Sequence, residues 1–382
     1  MRVGVLGTQA RDLVNFRGHL LSELARAGHE AFGIAPGGNE ATRTALANLG
    51  AAYVPIQLDR TGLNPVGEAL GFLRLWRTLR RLRLDLLLCY ELKSVAFGTL
   101  AARLAGVPRR YAMITGRGTT LQGATSGLQE TLVRAVVTRL YRMALPRTRG
   151  VFFQNQDDCT FFRDLGMLPD SVPRRIINGS GVDLAHFAPR PLPGGPVTFL
   201  FVGRLLKNKG VFELVEACRI LAGRNVPFRA RILGPLDTNP NGITAGQLEA
   251  WVDEGVVEYL GELADVRPAL AAAHVMVLPS YGEGTPRSVL EALSVGRAVV
   301  TTDAPGCREV VAEGVNGHRV PVGDAGALAD AMENLARNPE LIQRFAQEGR
   351  RLAERKYDVR LVTADIIDFM DCGKGKAHDG AR

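Results

Sequence analysis

Two carboxylates and two cations carry the chemistry this sequence offers. Glu283 and Glu291, with seven residues between them, lie in the run Ser280-Tyr281-Gly282-Glu283-Gly284-Thr285-Pro286-Arg287-Ser288-Val289-Leu290-Glu291-Ala292-Leu293, and Arg204 and Lys209 follow an earlier apolar stretch, Val197 to Val202. Gly282 and Gly284 bracket Glu283 in a turn whose backbone a ligand can approach closely. The preceding Val275 to Leu278 is a short continuous apolar run, as expected of a parallel strand covered on both faces, and Pro279 ends it. Thr285 followed by Pro286 reads as N-cap and first helical residue, so a helix is expected from Pro286 to just before Gly296.

A helix start presents the positive end of its dipole and favours an anion such as a phosphate. Glu291, five residues inside, would sit roughly 7 to 8 Å further along at about 1.5 Å per residue. That gap suits a nucleotide, with phosphate at the helix start and ribose hydroxyls beyond. Arg204 and Lys209, brought by the Gly203 loop, could neutralise the charge that builds on a departing diphosphate, and the turns at Gly234 and Gly261 bring open backbone to the same side. The plainer alternative makes Glu291 a solvated surface residue, Glu283 a turn carboxylate and each cation a surface charge.

The elements that must position these groups alternate strand and helix, which predicts parallel sheets with ligand sites at the carboxyl ends of the strands. In the first half, strand Arg2 to Leu6 leads into an expected loop from Gly7 to Arg17 and a helix about Phe16 to Ala27. The loop that begins Thr115-Gly116-Arg117-Gly118-Thr119-Thr120 follows the strand Arg110 to Ile114 and offers a guanidinium and hydroxyls to an anion. The proline-rich and glycine-rich stretch 188–196 is the clearest composition break. It is read as a linker between a first domain, 1–187, and a second, 197–355, with a last helix in 356–372 and a frayed tail in 373–382.

At 382 residues, with 46% hydrophobic and 23% charged residues, the chain has the composition of a soluble globular protein with room for two domains. No apolar run approaches the roughly 20 residues of a membrane span, and the start lacks a secretory pattern. Five scattered cysteines without metal-ligand spacing read as reduced thiols, so a cytoplasmic location is expected. The net charge of +8 is concentrated in the first half. There, Val66 to Arg83 sets Trp76 and leucines against Arg74, Arg77, Arg80, Arg81 and Arg83, and Gly127 to Leu145 repeats the basic, apolar mixture. Such helices suit an anionic membrane surface; the alternative packs both on the sheet with solvated outer faces. Interleaved aromatics are lacking, which argues against single-stranded nucleic acid. No P-loop, no GxGxxG after the first strand and no serine or cysteine nucleophile motif stands out.

Glu283 and Glu291 in Glu-Gly-Thr-Pro-Arg-Ser-Val-Leu-Glu resemble the E-x7-E signature of the GT4 family of retaining glycosyltransferases. The resemblance extends over Val202-Gly203-Arg204 through Lys209-Gly210, the Asn178 to Asp183 turn and the last helix. It implies the GT-B fold: two Rossmann-like doubly wound domains facing across a cleft, with the C-terminal helix crossing back to an acceptor-binding N-terminal domain. It also implies that Arg204 and Lys209 hold the diphosphate of a nucleotide sugar, that Glu291 holds the ribose, and that Glu283 with Gly284, Thr285 and Pro286 holds sugar and phosphates. No metal or other cofactor is expected. In finer detail Asn15-Phe16-Arg17, Thr115-Gly116-Arg117-Gly118 and Gln154-Asn155-Gln156-Asp157-Asp158 resemble bacterial transferases that extend undecaprenyl-diphosphate-linked saccharides. That implies a lipid-linked saccharide acceptor at the inner face of the cell membrane, bound through Arg17, Thr115 and Arg117. The family often has a functional histidine near this last position, and Thr115 and Arg117 stand in its place. A UDP-sugar 2-epimerase of the same fold and a non-catalytic membrane-surface adaptor are the rival readings.

Overall fold

The structure is a computed structural model that describes residues 1–57, 65–118, 121, 128–237, 239 and 241–372. Thr119 and Thr120 of the expected anion loop, Gly127 and the expected tail 373–382 lie outside the described residues. The chain forms two compact units, one of residues 1–180 with the segment from Arg360 onward, the other of Gly181–Val359.

In the first unit the strands are β1 (Arg2–Leu6), β2 (Glu30–Ala35), β3 (Ala51–Pro55), β4 (Leu86–Tyr90), β5 (Arg109–Ile114), β6 (Gly150–Phe153) and β7 (Arg174–Ile176). They form one parallel sheet in the order β3-β2-β1-β4-β5-β6-β7. Strand period two divides its side chains cleanly. Leu6, Leu87, Cys89, Ala112 and Phe153 enter one core with the helices Pro65–Leu82 and Leu92–Leu104. Val3, Val5, Leu88, Tyr90 and Met113 enter the other with the helix Ala10–Arg26 and the last helix, Val359–Phe369. Each fully buried Val, Leu or Phe in these layers contributes about 1.5–3 kcal/mol.

The last helix lays Val362 and Ile366 on that face and packs Phe369 edge-on to Phe152 at 4.9 Å; just beyond its end, Cys372 O lies 2.9 Å from His29 Nε2. Arg175 pairs with its Asp365. The basic helix Pro65–Leu82 buries Leu75 and Leu79 and half-buries Trp76, so its aromatic group is part of the packing, while Arg74, Arg77, Arg80 and Arg81 are exposed.

The first helix begins at Ala10, well before the expected Phe16, because Ala10, Leu13, Leu20, Leu21 and Leu24 already form one buried stripe. The loop after β1 is therefore only Gly7 to Gln9, and Arg17 is a helical residue on the buried face rather than a loop residue.

In the second unit β8 (Val197–Val202), β9 (Phe228–Leu233), β10 (Glu258–Tyr259), β11 (Val275–Leu278), β12 (Ala298–Thr302) and β13 (Gly317–Val320) form a parallel sheet in the order β10-β9-β8-β11-β12-β13. The central strands β8, β11 and β12 are buried at every residue, as both faces are covered. The segment 188–196, expected as a linker, is packed into this unit. Arg297 Nη2 donates to Pro191 O at 3.0 Å, and His274 Nε2 lies 2.9 Å from Pro193 O. These carbonyls have no strand partner, and the buried side chains supply one. The chain passes between the units at Ser180–Gly181 and again at Val359–Arg360.

Candidate functional site

In the second unit the strand order reverses between β8 and β11, and open parallel sheets bind ligands outside the carboxyl ends of two such strands. The loop after β8 brings Gly203, Arg204 and Lys209; the loop after β11 brings Glu283. Lys209 Nζ pairs with Glu283, both side chains being mostly buried. The two loops are also tied through backbone, Tyr281 N donating to Asn208 O at 2.9 Å. Tyr281 donates its hydroxyl to Glu213 at 2.6 Å, and that bond first, then burial, pushes its pKa up to about 12.

Close backbone approach explains two glycines. Gly234 has φ of 143°, and a Cβ on it would fall inside the van der Waals radius of Gly203 O. Gly306, with φ of 80° in the loop after β12, lies as tightly against Glu283 O. Substitution at either would displace the wall of the site, and the left-handed conformation adds about 1 to 2 kcal/mol for an L-residue.

The helix after Glu283 is Arg287–Val295, one residue later than expected. Pro286, with ψ of 108°, is extended and serves as N-cap; its carbonyl accepts from Val289 N at 3.1 Å and Leu290 N at 3.2 Å. Gly296 in the left-handed region closes the helix. Glu291 is held by Arg287 at 2.9 Å, and burial raises its carboxyl above the usual range while Arg287 opposes the rise. Arg204 pairs with Asp237 at 2.8 Å, across the loops after β8 and β9. Thus the structure joins Lys209 to Glu283 directly and gives Arg204 a different carboxylate as partner.

In the first unit, Thr115 and Arg117 follow β5. Arg117 Nε donates to Asp158 at 2.6 Å and its guanidinium lies 4.5 Å over the Phe161 ring. Asp158 is 1% exposed and also receives Asn155 Nδ2 at 3.0 Å. Arg17, 3% exposed, stacks 4.9 Å from the centre of Tyr90.

Both halves of the chain match models of known families. Residues 14–179 match the glycosyl transferase 4-like domain and residues 196–338 match glycosyl transferases group 1. The chain belongs to the GT4-like glycosyltransferases. This transferase is 29% identical, over 97% of its chain and 98% of the other, to the N,N'-diacetylbacillosaminyl-diphospho-undecaprenol alpha-1,3-N-acetylgalactosaminyltransferase of Campylobacter jejuni. It is 34% identical, over 50% of its chain and 51% of the other, to the phosphatidyl-myo-inositol mannosyltransferase of Mycobacterium leprae. Among solved structures it is similar to HepE of Anabaena in complex with UDP, with a TM-score of 0.74 at 17% identity over 97% and 100% of the two chains. Sucrose-phosphate synthase of Thermosynechococcus elongatus gives 0.80 at 17% identity over 97% and 98%. The transferase therefore has the GT-B fold, built from two Rossmann-like units.

Sequence reasoning missed four residues near these strand ends in the transferase. Asp237 and Arg287 are the partners of Arg204 and Glu291. Thr8 and Glu91 stand at the carboxyl ends of β1 and β4, where the first sheet reverses its order. Thr8 N donates to Glu91 Oε2 at 2.9 Å and its hydroxyl donates to the same oxygen. Glu91 has φ of 67° and ψ of 152°, a conformation nearly confined to glycine that costs on the order of 1–3 kcal/mol. An acidic residue directly after an all-apolar strand was a signal available in the sequence, but only the strand order shows that it faces Thr8.

Proposed function

We propose that this glycosyltransferase moves a hexose or N-acetylhexosamine, with retention, from a UDP-sugar to a polyprenyl-diphosphate-linked saccharide in bacterial glycan assembly. The observation that carries the donor half is the Lys209–Glu283 pair at the β8/β11 reversal, beside the start of the helix Arg287–Val295. In this reading the donor's diphosphate takes over Lys209, aided by Arg204 and the helix dipole, and Glu283 turns to sugar hydroxyls. Gly203 and Gly234 leave room for the nucleotide, Gly284, Thr285 and Pro286 border the phosphates, and Glu291 receives the ribose. The HepE structure named above contains UDP, which supports the choice of nucleotide.

The first unit takes the acceptor, with Arg17, Thr115 and Arg117 on its phosphate side. The Campylobacter relative is named for an undecaprenyl-linked acceptor, which supports this class. With no nucleophile in hand, the departing phosphate takes the acceptor's proton as the new bond forms on the same sugar face. Protein cations alone neutralise the diphosphate, without a metal, so a chelator is expected to leave the rate unchanged.

No helix among the described residues is long and apolar enough to cross a membrane. In our reading the enzyme reaches its lipid substrate from the cytoplasmic face, using the exposed Arg77 and Arg80 on the helix Pro65–Leu82. Vesicles with anionic lipid are expected to bind the enzyme at low salt and release it at high salt. Unchanged binding by the Arg77→Glu, Arg80→Glu double variant would remove this part of the reading.

The deciding experiment is a panel of nucleotide sugars tested for protection against thermal unfolding, followed by turnover with a polyprenyl-diphosphate saccharide. UDP-sugar protection and transfer are expected. Formation of an epimer without transfer, or no protection by any nucleotide, would overturn the assignment.

A further inference from the structure

A second carboxylate, absent from the scheme above, occupies the reversal point of the first sheet. Glu91 follows β4 and Thr8 follows β1, and from here the helices Ala10–Arg26 and Leu92–Leu104 leave to opposite faces of the sheet. A crevice opens between strand ends under those conditions. Glu91 is fixed in it: both donors of Thr8 bond Oε2, Thr8 is 6% exposed, and among the described residues Oε1 makes no bond and no cation pairs with the carboxylate. Glycine would satisfy the backbone at this position with less strain, so the glutamate side chain is kept at a conformational cost.

A carboxylate whose partners are neutral donors offers a phosphate no cation to pair with. It accepts hydroxyl donors well, in charge-assisted bonds that are short and strong. We propose that Glu91 binds a hydroxyl of the acceptor's terminal sugar and that Thr8 positions it. This rests on the assignment of the first unit to the acceptor and names the group that recognises its saccharide.

The test compares the unsubstituted enzyme with Glu91→Gln and Glu91→Gly, using UDP-N-acetylgalactosamine and synthetic N,N'-diacetylbacillosaminyl-diphospho-undecaprenol. Calorimetric binding of UDP reports the donor side alone. Both variants are expected to bind UDP as the parent does and to raise the acceptor KM about tenfold or more, the loss of one charged hydrogen bond. A purely structural Glu91 would leave the acceptor KM of folded variants within twofold of the parent, and that result overturns the proposal. Absence of UDP binding or transfer by the unsubstituted enzyme would overturn the reaction itself, and this inference with it.

Discussion

The two sheets reverse at equivalent places, β1/β4 and β8/β11, and each reversal carries a glutamate, yet the two glutamates are held in opposite ways. Glu283 is matched by Lys209, with Arg204 on the same loop and a helix start just after it, so the neighbourhood is prepared for negative charge. Glu91 is gripped by an amide and a hydroxyl of Thr8 and makes no ion pair among the described residues. On our proposals, one architecture serves a diphosphate at one reversal and a hydroxyl at the other, depending on whether the carboxylate's partner is an ammonium or a neutral donor. The lesson is that the fold fixes where a ligand sits, while the partner of one side chain fixes its chemistry.

The largest effect should come from removing the cation that distinguishes the two places. Lys209→Met is expected to lower kcat by about 100-fold to 1000-fold, the usual scale for a lost electrostatic stabiliser, and to abolish protection by UDP in thermal unfolding. If UDP still protects fully, the contrast with Glu91 collapses. Next, Thr8→Val removes one donor to Glu91 while its amide remains. The acceptor KM should rise about fivefold, roughly 1 kcal/mol, with UDP affinity unchanged in calorimetry. An equal loss on the donor side would mean that the two sites do not divide the substrates.

The smallest effect belongs to the opposite, amino end of the second sheet. His274 accepts Thr198 N on Nδ1 at 3.0 Å, which leaves Nε2–H to donate to Pro193 O, and burial lowers its pKa below 6.5. The folded chain favours the neutral ring, so this stability is present above about pH 6.5 and is lost as pH falls through the lower folded value. His274→Gln should show a smaller fall in Tm between about pH 7.5 and pH 5.5, with unchanged kcat at the higher pH. A change in kcat would place function at an end of the sheet where the comparison predicts none.

Much of this was legible in the sequence because the central strands are short apolar runs broken by Gly and Pro, and because Glu283, Glu291 and Lys209 sit at fixed offsets from them. The early start of the first helix was hidden by Arg11, Asp12, Asn15 and Arg17, which interrupt the stripe of Ala10, Leu13 and Leu20 and read as loop. Strand β13, Gly-His-Arg-Val, lacks any apolar run and forms only by pairing in register with β12. Thr8 and Glu91 are 83 residues apart and meet through a strand order that no local pattern encodes. The Lys209–Glu283 contact had the same obstacle, and there the E-x7-E resemblance supplied what periodicity could not.

The last helix belongs to the first unit's core although the other unit, which begins at Gly181, comes before it in the chain. A ribosome delivers Val3, Val5 and Leu88 long before Val362 and Ile366, so the nascent first half waits with one apolar face covered only in part, by the helix Ala10–Arg26, while the second half is made. Emergence of the last helix, rather than of residue 180, is what closes that layer, and truncation before it would leave a sticky sheet for chaperones to guard.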